Sequence, residues 1–200
     1  MIMTERRIGI LGGVFDPVHL GHLSIAALAR ESFALERVIF VPSGAPPHKS
    51  SVTAAASDRL NMLKLALDGV DDCSVWDGEI RRDGYSYTID TLKELSGIYE
   101  NAKFYFIIGT DNLTEIQKWR SAADVIGMVT LCVAKRPGHE IVRTGALASA
   151  DLKEFPGPQW GSSSTMLRDY LKSGLSCRFL IPDAVLGYIR EKGLYGHSYG

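Results

Sequence analysis

His19 and His22 stand three residues apart in the stretch GILGGVFDPVHLGH (residues 9–22), behind a Gly12-Gly13 pair and an Asp16-Pro17 step. Paired imidazoles can ligate a metal, donate hydrogen bonds to a phosphate, or cap and pack a helix. A metal site needs further ligands, which Asp16 or His48 would have to supply. A phosphate site needs donors, and Gly12 and Gly13 would let a ligand lie against the backbone amides. The run before the loop reads as a strand and LGHLSIAALARESFA (20–34) as a helix, so both histidines fall at a helix entrance. There they share a face one turn apart, beside N-terminal amides and a dipole end that favour an anion. Gly21 between them removes a side chain from the approach. Capping or packing would suit either histidine alone, but leaves the Gly-Gly turn and the Asp-Pro step without a reason. The loop is neither a G-x-x-x-x-G-K-S/T phosphate loop nor a G-x-G-x-x-G dinucleotide fingerprint.

Other residues could join such a site, each against a plainer reading. In SSSTMLR (162–168), Ser164 and Arg168 are four apart and share a helix face, and Arg recognises phosphate bidentately. The plainer reading is a serine N-cap and a surface arginine. Lys49, in PSGAPPHK (42–49), is a cation on a proline-stiffened loop, or a solvated lysine. Thr88 could cap the helix TIDTLKEL. Trp119 is either core or a ring able to stack on a flat ligand. Asp111, closing FIIGTD, could take a ribose hydroxyl or a metal-bound water.

These residues need a frame. RIGILGG (7–13), RVIFVPS (37–43), CSVWDGEI (73–80), KFYFIIG (103–109) and VTLCVAK (129–135) read as strands, several apolar without alternation, as expected when both faces are covered. Helical patterns at 20–34, 56–67 and 88–99 separate them; in the third, Ile89, Leu92, Leu95 and Ile98 step by three. This order predicts an α/β fold: a Rossmann-like parallel sheet with flanking helices and right-handed crossovers. Beyond residue 135 the chain is richer in Gly and Pro, with one short strand near Leu152–Phe155. Two helices follow at 162–174 and 182–193, the second with Pro182 early and Gly193 late. One domain over 1–200, with a helical C-terminal section at about 162–195, accounts for the pattern. In an open parallel sheet ligands sit beyond the carboxyl ends of the strands, where the loop after the first strand falls.

Composition narrows the chemistry. The chain has 200 residues, 46% hydrophobic and 22% charged, with a formal net charge of −1, so no broad field attracts nucleic acid or an anionic membrane. No apolar stretch approaches the ~20 residues of a membrane span, and no signal-peptide region leads the first strand. Cys73, Cys132 and Cys177 form no C-x-x-C pair, and Cys132, inside VTLCVA, reads as core. A cytoplasmic protein is the expectation, and a homo-oligomer is compatible with it.

GGVFDPVHLGH resembles the G-G-S/T-F-D-P-x-H-x-G-H signature of the nucleotidyltransferases, with Val14 in place of the usual hydroxyl residue. With PSGAPPHK, SYTIDTL (86–92), FIIGTDN (106–112), KRPG (135–138), SSSTMLR and the ending IPDAVLGYIREKGLY, the resemblance runs from Ile8 to Tyr195 and is to the bacterial nicotinate-nucleotide adenylyltransferases. Phosphopantetheine adenylyltransferases lack the P-P-H-K segment, and class I tRNA synthetases carry a K-M-S-K-S loop that is missing here. The resemblance implies adenylyl transfer from ATP to nicotinate mononucleotide, with Mg2+ bound mainly through ATP phosphates. It implies an ATP site of Gly12, Gly13, Val14, Phe15, His19, His22, Asp111, Ser164, Thr165 and Arg168. Of these, His19, His22 and Arg168 would carry the chemistry, while Lys49, Thr88, Trp119 and Arg136 would hold the mononucleotide. Two departures stand out: Ser43-Gly44 replaces an Asn common after the second strand, and Gly161-Ser162 precede the Ser-Ser-Thr where an Ile usually stands. Nicotinamide mononucleotide or another phosphomonoester as acceptor, a non-catalytic nucleotide sensor, and a metal hydrolase are the alternatives.

Overall fold

In this computed structural model, which describes residues 5–45, 52–135, 141–158 and 161–196, the apolar runs pair as six parallel strands. The order is β3-β2-β1-β4-β5-β6. β1 (Arg6–Gly13) lies between β2 (Arg37–Pro42) and β4 (Ala102–Gly109). β5 (Val129–Lys135) follows β4, and β3 (Cys73–Val75) and β6 (Leu152–Pro156) form the edges. The chain winds outward from β1 to β3, then restarts on β1's other side with β4. That reversal opens a crevice at the carboxyl ends of β1 and β4.

Strand periodicity divides the core in two. Leu11, Tyr105 and Ile107 face one side and pack with α1 (Leu20–Phe33), α2 (Ala56–Ala66), α7 (Ser164–Lys172) and α8 (Asp183–Glu191) through Ala26, Met62, Leu63, Leu167 and Val185. Ile8, Ile10, Phe104 and Phe106 face the other, against α4 (Thr88–Ile98) and α6 (Ala122–Met128) through Ile89, Leu92, Leu95 and Val125. Gly9 is confined: a Cβ there would lie 2.9 Å from Leu35 and 3.2 Å from Ile107. Cys132 is fully buried, as core. Among the described residues no helix is long and apolar enough to cross a membrane.

Several expected boundaries move. The strand expected over 73–80 ends at Val75, and the chain turns into the short helix α3 (Gly78–Arg81). The Trp76 ring folds over Gly78, where any Cβ would collide with it, so glycine is what admits this turn. Ile98 is 58% exposed, so only three of the four stripe residues of α4 reach the core. α7 starts at Ser164 rather than 162, after the N-cap Ser163, and α8 has Pro182 as its N-cap instead of its first residue. The helices α5 (Thr110–Leu113) and α6, and 3₁₀ turns at Thr114–Lys118, Gly145–Ser149 and Leu194–Gly196, were not expected from pattern.

Candidate active site

The loop after β1 lies at the head of the crevice, and its carbonyls at Gly13, Val14, Asp16 and Pro17 are each bonded. Gly13 C=O accepts from Ser43 N–H at 2.9 Å, which continues the β1–β2 ladder by one residue. Phe15 takes the left-handed region at φ 54 with its ring buried. Gly13 has no room for more, since a Cβ would sit 3.1 Å from that ring. Asp16 is 2% exposed and has two roles. Its carboxylate accepts from Thr53 N–H (2.7 Å), Ala54 N–H (3.1 Å) and the Tyr195 hydroxyl (2.7 Å). Its carbonyl accepts from Arg168 Nη1 at 2.8 Å. A buried carboxylate needs such donors, because desolvation without them costs several kcal/mol.

His19 and His22 do cap α1, and this fixes what they can offer. The Gly21 N–H donates to His19 Nδ1 at 3.1 Å, and the His19 N–H donates to His22 Nδ1 at 3.3 Å. A ring accepting at Nδ1 carries its proton on Nε2, so both neutral imidazoles are N–H donors at that end. The rings lie 3.8 Å apart, and His22 meets Phe15 edge-on at 5.0 Å. The expectation that α1's own amides would face an anion changes. Leu20 N–H bonds Leu180 C=O, Gly21 N–H bonds His19, and the His22 and Leu23 N–H groups bond His19 C=O. The donors left to this helix end are the Nε2 N–H groups of its imidazoles rather than its backbone amides. Capping and phosphate donation are therefore compatible roles of the same two rings.

α7 meets this loop from the side. Ser164 Oγ donates to Pro17 C=O at 3.0 Å, and Arg168 Nη2 donates to Thr165 Oγ1 at 3.3 Å. Arg168 Nη1 also lies 3.8 Å from the Asp16 carboxylate. Ser164 and Arg168 thus share a face, and that face docks on residues 16 and 17. A Cβ at Gly21 would come within 3.0 Å of Ser162 Oγ, so glycine there lets the starts of α1 and α7 approach.

The metal reading fares poorly. Both Nδ1 atoms and both Asp16 oxygens are taken by protein donors. Among the described residues no three His, Cys, Asp or Glu side chains converge to hold an ion. His48 lies outside the described residues.

The remaining candidates are spread more widely. Thr88 begins α4 without capping it; Tyr87 takes the cap position and makes no side-chain bond there. Trp119 follows the Thr114–Lys118 turn, half-buried, edge-on to Phe106 at 5.7 Å. Lys49, Arg136 and the side chain of Asp111 lie outside the described residues. Burial disfavours the thiolate at all three cysteines, pushing Cys73 up to about 11 and Cys132 up to about 12 and raising Cys177.

Three participants escaped sequence reasoning. Arg59, 1% exposed, donates through Nη1 to Val14 C=O (2.8 Å) and through Nη2 to Gly44 C=O (3.2 Å). Burial lowers its pKa, while Asp16 and Tyr195 raise it. Tyr195 is buried against Asp16, and desolvation first, then that carboxylate, raise its pKa. Glu79 is buried with Oε1 accepting from Thr91 Oγ1 at 2.6 Å. Arg59 had a legible signal: it shares a helical stripe with the core residues Met62 and Leu63. A cation on an apolar stripe marks a buried charge.

Comparison with known proteins gives the family and the fold. Residues 10–170 match the cytidylyltransferase-like family model, and the chain belongs to that family. Within it, the chain resembles nicotinate-nucleotide adenylyltransferases along nearly its whole length. It is 40% identical over 191 residues to a protein of Oceanobacillus iheyensis named as a probable nicotinate-nucleotide adenylyltransferase, covering 96% of this chain and 97% of that one. A Desulfitobacterium hafniense protein of the same name is 42% identical over 198 residues, covering 95% and 96%. The fold matches the solved structure of Plasmodium falciparum nicotinic acid mononucleotide adenylyltransferase complexed with NaAD. There the TM-score is 0.79, at 21% identity over 96% of this chain and 98% of that one.

Proposed function

We propose that this enzyme, a nucleotidyltransferase, joins the α-phosphate of ATP to the 5′-phosphate of nicotinate mononucleotide, giving deamido-NAD and pyrophosphate in NAD synthesis. The observation that carries the reading is the pair of Nδ1-anchored imidazoles at the switch point of the sheet, in a chain whose full-length relatives bear this activity in their names. An acceptor phosphate oxygen attacks the α-phosphorus and the bond to the β-phosphate bridging oxygen breaks. That oxygen nucleophile is already ionised near neutral pH, so no protein base is required. The work is positioning two anions in line and stabilising charge that moves onto pyrophosphate. His19 and His22 donate to phosphate oxygens. Arg168, with five N–H donors of which two hold Asp16 and Thr165, turns the rest to the β- and γ-phosphates. Thr88, Trp119, Lys49 and Arg136 hold the mononucleotide, and Asp111 takes a ribose hydroxyl. The imidazole and guanidinium donors suit an anion and not a bare cation, so Mg2+ would be bound mainly through ATP oxygens and would supply neutralisation of phosphate charge. Three free thiols fit a cytoplasmic setting.

The test is pyrophosphate release from ATP with nicotinate mononucleotide, with nicotinamide mononucleotide, and with neither. Release that favours nicotinate in kcat/KM by about tenfold or more is expected. Equal release with either acceptor overturns the acceptor assignment, and ATP binding without release makes the chain a sensor.

A further inference from the structure

Arg59 is a charge at the bottom of an apolar helix face, bonded to two carbonyls from two different loops. Its Nε finds no acceptor among the described residues, which makes it a costly way to stabilise a core. Its partners explain its place. Val14 C=O belongs to the loop after β1 and Gly44 C=O to the loop after β2, so one rigid fork joins the two loops at the carboxyl edge of adjacent strands. Gly44 passes so close to the Glu79 carbonyl that a Cβ there would collide with it, so only glycine fits at that end of the fork.

The bond to Val14 determines where the next amide points. The Val14–Phe15 peptide is trans, so its N–H is directed opposite to its C=O. With that carbonyl drawn inward to the buried guanidinium, the Phe15 N–H is turned away from α2. Phe15 holds this orientation at φ 54, a region that costs a non-glycine residue about 1 kcal/mol or more. Val14 has no hydroxyl, so at this position the loop can offer an anion only its backbone.

We propose that Arg59 is a positioning residue for adenylyl transfer: by holding Val14 C=O inward it presents the Phe15 N–H to phosphate in the crevice. This rests on the reading of function above. It is distinct from the imidazole and Arg168 contacts, since Arg59 acts through a backbone amide and touches no substrate.

The test compares Arg59→Lys and Arg59→Met with a chain in which the Phe15 amide is replaced by an ester, through phenyllactic acid at that position. Pyrophosphate release, near-UV circular dichroism and the ester–Arg59→Lys combination are measured on the full chain. A wild type without activity overturns the functional reading and this proposal with it, whereas an active wild type isolates the role of Arg59. With an active wild type, each folded single variant should lose about tenfold or more in kcat, with KM for both substrates within about threefold. The combined losses should not multiply, because both changes act on one group. Losses that multiply, or a folded Arg59→Lys within twofold of wild type, overturn the proposal. The ester keeps Arg59 and tests the Phe15 N–H directly, so the proposal can still be overturned if neither substitution folds. A kcat within twofold there overturns the proposal, and a tenfold loss supports it.

Discussion

Two buried carboxyl groups, Asp16 in the loop after β1 and Glu79 bonded to α4, are served very differently. Asp16 receives two backbone N–H groups and the Tyr195 hydroxyl, with the Arg168 guanidinium 3.8 Å away. Glu79 accepts from the Thr91 hydroxyl, and burial pushes its pKa up against the opposing pulls of Thr91, Arg82 and Ser86. The difference extends to their surroundings. On the α1–α2–α7–α8 side, loop, helix starts and C-terminus are tied together by Asp16, His19, Arg59 and Arg168. On the α4–α6 side, Thr88 opens its helix uncapped and Trp119 rests edge-on against Phe106. Phosphate transfer rewards donors fixed before the charge moves. Recognition of a flat acceptor asks for ring planes and a few polar contacts, which a looser wall can supply. The first side should therefore fail as a unit when one member is changed, and the second should fail one contact at a time.

The sharpest challenge to that contrast is Asp16→Ala. It leaves two amides, a phenol and part of Arg168 without an acceptor in a buried place. A stability loss of about 3–5 kcal/mol is expected by urea unfolding, with activity lost in the surviving folded fraction. A loss below about 1 kcal/mol would mean that the network does not hold the loop.

His22→Ala comes next. It removes a donor and the acceptor of the His19 N–H, so kcat should fall about 100-fold or more while stability falls by about 1 kcal/mol. Steady-state kinetics with thermal unfolding separates the two effects. An unchanged kcat with lowered stability would leave the ring only its capping role. On the other wall, Trp119→Ala should raise KM for the mononucleotide about tenfold and leave kcat and the KM for ATP within about twofold. A fall in kcat equal to that in His22→Ala would erase the distinction between the two sides.

The same contrast decides what could be read before the structure. The sheet was legible because its strands are apolar runs spaced by helical stripes, and VTLCVAK was placed to the residue as β5. The phosphate loop was legible because glycines, Asp-Pro and paired histidines are packed into 11 residues, 12–22. What could not be read was long-range. Tyr195 meets Asp16 across 179 positions, and Arg168 meets it across 152. Nothing in local spacing announces such a bond. Local pattern also misled at Trp76-Asp77-Gly78, where a β-favouring tryptophan precedes a turn made possible by the glycine beneath it.

Glu79 offers the smallest and most specific probe. Its carboxyl is raised above the ordinary 4.5 chiefly by burial, against the opposing pulls of Thr91 and Arg82. In the unfolded chain the proton leaves near the ordinary value; in the folded protein it stays on to higher pH. Between those two points the folded state binds more protons, so stability falls as pH rises through that window. Below it the contribution is fully present. Glu79→Gln cannot titrate and keeps an oxygen for the Thr91 hydroxyl. Its stability relative to the wild type should therefore rise with pH across the window and level off above it. Urea midpoints at a series of pH values measure this directly. A difference that stays flat from acid to neutral pH would mean that Glu79 is as well served as a solvated carboxylate, and the two sides of the crevice would no longer differ in how they treat a buried charge.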